Sequence, residues 1–280
     1  MFTEIKHTLR RMRGASIGWG IGLFAYGLMM ANFFTSLEMM EGFLENLENY
    51  PPEMLAFFPN IFDIMSPIGY MDTYYFSYMT LIIGFFAVVS CANLLVGDEE
   101  KGILDLLVSY PVSRSGFFWG RLLGFMVATA IILLASWLGW LIPAGSSGLN
   151  LSAVELLQPF LPLYVVLVLF GGIALLLSML LPAARMATAA AGGLLLVNYL
   201  LVGLANISPE LGSIYKLTPL YFYQGGAAIE GINWETLAGL TGMTLIFILL
   251  AWWRFLRREI RVGGEGGWKL PKLAFGGRRT

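Results

Sequence analysis

Apolar residues gather in six stretches, approximately 15–34, 74–96, 117–142, 160–181, 186–207 and 234–253. Each is long enough to cross a bilayer, which takes about 20 apolar residues. The segments between them show amphipathic helical spacing. Near the N-terminus Phe2, Ile5, Leu9 and Met12 recur on one face, with Lys6, Arg10, Arg11 and Arg13 on others. This predicts a helix lying in the membrane interface ahead of the first span. After that span, Leu37, Met40, Phe43, Leu44 and Leu47 alternate with Glu38, Glu41, Glu45 and Glu48 until Pro51-Pro52 breaks the pattern. That spacing predicts a helix resting on the membrane surface. Between the fifth and sixth spans, Pro209, Pro219, Gly225 and Gly226 punctuate an aromatic segment, which predicts short interfacial helices.

The segment between the second and third spans is the densest in charge. It reads Asp98-Glu99-Glu100-Lys101-Gly102-Ile103-Leu104-Asp105-Leu106-Leu107-Val108-Ser109-Tyr110-Pro111-Val112-Ser113-Arg114. Asp98 is placed to cap a helix, and Glu99 and Glu100 suit its first turn, where the helix dipole favours acids. Asp98, Lys101 and Asp105 share a polar face, Ile103, Leu104, Leu107 and Val108 form an apolar flank, and Pro111 ends the helix.

Composition strengthens the membrane reading. The 280 residues are 58% apolar and 12% charged, against roughly 25% charged in an average soluble domain. With both termini on the cytoplasmic side, every one of the 17 lysines and arginines except Lys216 falls on that side. The positive-inside rule therefore places 98–114 in the cytoplasm. Acids such as Asp63, Asp72, Glu155, Glu210 and Glu235 fall outside. No cleavable leader is expected, because a full-length span follows the basic N-terminal stretch. The chain thus divides into one transmembrane domain, 1–262, and a basic cytoplasmic tail, 263–280. The localisation expected is a plasma or inner membrane, crossed several times.

The chemistry available is narrow. Cys91 is the one cysteine, so an internal disulfide and a multi-cysteine metal site are excluded. No ionisable residue sits at the centre of a span, which counts against a proton-coupled relay. Asn93, Thr129, Ser136, Ser178 and Asn198 read as hydrogen-bond partners between helices. Glycines spaced by four, Gly14/Gly18/Gly22 and Gly116/Gly120/Gly124, allow close helix approach, within the chain or across a dimer. Gly145-Ser146-Ser147-Gly148 matches an intramembrane serine-protease motif, but the sole histidine, His7, lies on the other side of the membrane. Glu99-Glu100 lacks the intramembrane histidines that prenyl-protein proteases use. No Gly-x-x-x-x-Gly-Lys-[Ser/Thr] phosphate loop is present. Nothing in the chain points to nucleic acid.

The segment from Glu99 to Arg114 resembles the pattern Glu-Glu-x-Gly-Thr-Leu-x-x-Leu-Leu-x-x-Pro-[Val/Ile]-Ser-Arg of type-two ABC exporter permeases, with Ile103 in place of the usual threonine. Six spans, an N-terminal interfacial helix and a long last outer loop with Thr218-Pro219 extend the resemblance over most of the chain. The resemblance implies an all-α polytopic membrane protein with a cytoplasmic coupling helix between spans two and three. It implies a homodimer or close heterodimer of permeases in the lipid bilayer, bound to two copies of a separate ATP-binding subunit. No cofactor belongs to this chain; ATP and Mg would sit on the partner, and the chain itself is not expected to be an enzyme. Glu99, Glu100, Gly102, Leu106, Leu107, Pro111 and Arg114 match the coupling region. Arg10, Arg11 and Arg13 are candidates for a second contact. The substrate path would follow the permease–permease interface. A charge-free interior favours amphipathic or lipophilic cargo such as a drug, antibiotic or lipid. The alternative reading is a stand-alone secondary transporter or channel.

Overall fold

A computed structural model describes residues 1–37, 51–55, 63–100 and 113–258. Among these the regular structure is helical, with no strand. Six helices are long and apolar enough to cross a membrane. They are α1 (Phe2–Leu37), α2 (Pro67–Ala92), α3 (Arg114–Leu141), α4 (Phe160–Leu180), α5 (Ala184–Ile207) and α6 (Trp234–Arg257).

The most apolar helix is also the most buried. Apolar on all sides, α4 sits at the centre, packed on α2, α5, α6 and α3. In contrast α1 lies along α3. The two run parallel, because Glu4 meets Gly120, Thr8 meets Gly124 and Phe24 meets Gly139. A Cβ added at Gly120 or Gly124 would lie 2.6 Å from the Cβ of Glu4 or Thr8. Without side chains there, the two backbones approach closely and gain dispersion contacts that lipid cannot match. The second glycine stripe behaves differently: Gly14, Gly18 and Gly22 face open space.

Two boundaries differ from the sequence expectation. Phe2–Leu37 is one uninterrupted 36-residue helix, so the basic N-terminal segment continues the first span and is not a separate interfacial helix. It stays in line because Glu4 and Thr8 dock on α3 through the glycine notches. The second span starts at Pro67, earlier than hydropathy suggested. Ser66 caps it by accepting the Gly69 N–H at 3.0 Å, and Pro67 suits the first helical position. This start draws Asp72, expected in the loop, into the helix. The turn Asp72–Phe76 is π-helical before α-geometry resumes at Ser77.

Aromatic side chains fill the end of the bundle near Asp72. Tyr70, Tyr75, Phe76, Phe160 and Trp140 pack edge to face or tilted, and Tyr75 shares a 2.7 Å hydrogen bond with Ser136. Of the five polar residues read as interhelical, only the Ser136 side chain bonds across helices among the described residues. Asn93, Asn198 and Ser178 turn back on their own helices, to the carbonyls of Val89, Leu194 and Leu175. The segment before α6 forms short helices as expected, Pro209–Tyr215, Pro219–Phe222 and Gly225–Ile229. Beyond Leu37, which ends α1, the surface helix read as far as Glu48 lies outside the described residues, as does the basic tail.

Candidate functional site

After α2 ends, Val96–Glu99 makes one short helical turn. Leu95 occupies its capping position, so Asp98 is not the cap that the sequence pattern suggested. Asp98 and Glu99 are instead buried, and a buried carboxylate needs a partner.

Each acid in the Asp98–Glu100 run finds its partner on different helices. Asp98 lies between two guanidinium groups. Arg11 of α1 donates to it at 2.9 Å, and Arg121 of α3 pairs with its second oxygen. Arg121 is only 1% exposed. It also donates to the Leu94 carbonyl at 2.8 Å, approaches Glu4 at 3.4 Å and stacks over the Phe117 ring. Glu99 pairs with Arg258, just past α6, at 3.3 Å. Arg258 in turn donates to the Ser178 carbonyl near the end of α4, at 3.1 Å. Glu100 accepts the Ala184 N–H at 2.8 Å, placing a carboxylate on the first turn of α5. There the helix dipole and an otherwise unsatisfied donor both favour an anion. Arg114, opening α3, donates to the Arg258 carbonyl at 3.1 Å and so satisfies an acceptor at the end of α6.

Three consecutive acids thus tie the end of α2 to an end of every other long helix. Opposite charges with multiple hydrogen bonds offset the desolvation that burial imposes, and removal of one partner leaves a charge uncompensated. The turn is therefore bonded, directly or through Arg258, to each of the other long helices.

Of the residues singled out in the sequence, Glu99, Glu100 and Arg114 lie in this cluster. Arg11 joins it through Asp98, while Arg10 and Arg13 are exposed on α1. Gly102, Leu106, Leu107 and Pro111 lie outside the described residues. Sequence reasoning passed over Arg121, Arg258 and Glu4. One signal was available: Arg121 sits inside the third apolar run, where a charge requires a partner.

A family model described as an ABC-2 family transporter protein matches residues 18–260. That span contains α2 through α6 and the whole Asp98–Glu100 turn. The chain belongs to the ABC-2 transporter family. Comparison with curated proteins gives no match. As an ABC-2 permease the chain is a multi-pass transmembrane subunit and is not itself catalytic. His7 is exposed in the early part of α1, while Ser147 is buried and its carbonyl accepts from Thr35 near the other end of that helix. The family match starts at residue 18 and so omits Glu4 and Arg11, two of the cluster's members.

Proposed function

We propose that this ABC-2 permease is the membrane half of an exporter, working as a dimer and driven by two separate ATP-binding subunits that carry ATP and Mg. The turn Asp98–Glu100 and the segment that follows it, to Arg114, form the coupling region. Three consecutive acids, two of them buried, that hold five helix ends carry this reading. An ATPase pressing on the segment from Gly102 to Pro111 would push on a root bonded to the whole bundle. Rigid-body movement of packed helices is a common way for such a displacement to reach a transport path. Leu106 and Leu107 supply the apolar contact with the partner. Arg10 and Arg13, exposed on α1, supply a second one. Glu99 and Glu100 act as the anchor of the coupling segment.

Positive charge on the cluster-bearing end supports a cytoplasmic location for it and for both termini, in the plasma membrane. The family resemblance puts the second permease copy along the first, second and fifth spans, and apolar side chains exposed on α1 and α5, such as Ile21, Met29, Leu194 and Val197, are compatible with that contact. The cargo is amphipathic or lipophilic, since the middle of the spans offers no charge to replace the hydration of an ion.

The test is co-expression with a P-loop ATPase subunit and measurement of complex yield and ATPase stimulation. Leu106→Asp with Leu107→Asp is expected to abolish co-purification while the isolated permease keeps its unfolding temperature. Unchanged assembly and stimulation in that variant would sink the coupling role. Glu99→Lys with Glu100→Lys is expected to lower complex yield as well, but by destabilising the permease itself.

A further inference from the structure

Along the second half of α6, Ile248, Ala251 and Phe255 are buried against the bundle. On the opposite face Ile246, Leu250, Trp253 and Arg257 recur at i, i+4, i+7 and i+11, and all four are exposed. Trp252, the neighbour of Trp253, turns toward α3 instead. It donates to Ser115 Oγ at 3.3 Å and packs against Trp119. From the middle of the helix to its end, the exposed stripe is therefore two aliphatic side chains, an indole and a guanidinium.

Helix geometry sets the depth of this stripe. Trp234 and Trp253, 68% and 49% exposed, stand about 28 Å apart along the axis at about 1.5 Å per residue. The hydrocarbon core is about 30 Å thick, and exposed tryptophans settle at its two boundaries. Trp253 thus marks the boundary at the end of the bundle that holds the charge cluster, which Arg258 joins through Glu99. Arg257, one turn beyond Trp253, reaches the depth of the phosphates. Its guanidinium lies over the Trp253 ring, 4.3 Å from the centroid. Stacking occupies the flat face and leaves open the N–H fork at the edge, which can bind a phosphate in bidentate fashion. Arg254 lies one turn back and is half-buried. Among the described residues neither arginine meets a carboxylate, whereas Arg11, Arg121 and Arg258 each do. Complementing the helix dipole requires only positive charge in the last turn, with no ring beneath it.

We propose that the last turn of α6 binds an anionic phospholipid, its phosphate accepting from Arg257 and Arg254 and one acyl chain lying along Leu250 and Ile246. Two guanidinium groups without a neighbouring acid favour a headgroup of net negative charge over a zwitterion, whose own ammonium they would repel. An acidic protein segment would satisfy the cations but not the aliphatic half of the stripe. That half lies inside the hydrocarbon boundary, where lipid-exposed irregular backbone does not go. The inference needs only that α6 spans the bilayer, and it stands apart from the transport reading and from any ATP-binding partner.

The experiment uses the full chain in detergent with a fixed excess of phosphatidylcholine, titrated with phosphatidylglycerol, and counts bound lipid by native mass spectrometry. Phosphatidylglycerol is expected to be retained in preference. Arg254→Gln with Arg257→Gln should weaken the tightest-bound molecule roughly tenfold, through loss of charge-assisted hydrogen bonds to phosphate. Arg257→Lys keeps the charge but removes the fork and the stack, so it should weaken retention several-fold. Lys6→Gln with Arg185→Gln removes as much charge from exposed positions at the same end and should leave retention unchanged. Equal retention of the two lipids by the wild type, wild-type retention in either α6 variant, or equal weakening in the Lys6 and Arg185 pair overturns the proposal. Sedimentation in detergent covers the remaining occupant: an α6 variant that keeps its lipid and loses a dimer gives this face to a second copy, which also overturns it.

Discussion

Arg121 shows how a single side chain can hold an otherwise apolar bundle. Buried to 1% exposure, it meets Asp98, Glu4, the Leu94 carbonyl and the Phe117 ring. Arg121→Met is expected to destabilise the permease by about 3 kcal/mol, because Asp98 and Glu4 lose a buried partner while the methionine refills only part of the space. Thermal unfolding in detergent measures this. Adding Asp98→Asn to that variant should cost less than the sum of the two single changes, since the pair acts as one unit. Full additivity would mean that the two groups do not interact. Arg11 pairs with the same carboxylate but is a third exposed at its side chain, so Arg11→Met is expected to cost no more than about 1 kcal/mol. Residue-scale chemistry was partly legible beforehand. Asp98, Glu99, Glu100 and Arg114 drew attention by density of charge. Arg258 did not, because one arginine in a basic run looks like the others until the fold brings it against Glu99.

Among the helices, the two glycine stripes have the same spacing and opposite surroundings. Gly120 and Gly124 on α3 receive Glu4 and Thr8 of α1, while Gly14, Gly18 and Gly22 on α1 meet nothing within 4 Å. Gly124→Leu is expected to destabilise the isolated permease by roughly 1–3 kcal/mol through overpacking. Gly18→Leu should leave its unfolding temperature unchanged. If the open stripe lies at a dimer contact, Gly18→Leu will instead shift the monomer–dimer equilibrium, measurable by analytical ultracentrifugation in detergent. Spacing alone could not separate the two stripes, because it records which face is small and not what stands opposite. Helix starts were similarly underdetermined. Hydropathy began the second span at Tyr74, but Ser66 and Pro67 supply a cap and a first turn, and these local bonds outweigh the polarity of Asp72.

Across the whole molecule, ion pairs and hydrogen bonds bring the start of α1, the end of α2, the starts of α3 and α5 and the ends of α4 and α6 to one end of the bundle. Alternating helix direction requires this, and it gathers the basic residues into one region. Orientation is then testable by labelling. The native Cys91 is fully buried and should resist a membrane-impermeant maleimide. In intact cells Lys216→Cys is expected to react, whereas His7→Cys should react only after the membrane is opened. The opposite pattern would invert the orientation proposed above.

The sequence alone determined the class of the molecule and its number of crossings, because the bilayer imposes length and apolarity on every span regardless of its neighbours. It also marked the charged segment after the second span, since charge that cannot enter lipid stands out locally. Only the tertiary structure decided what those charges do. Glu99 meets Arg258 across 159 positions and Asp72 meets Gly226 across 154. Partnerships over such distances depend on which helices pack side by side. The pattern of apolar residues along one helix shows a face to bury and does not name the neighbour that buries it.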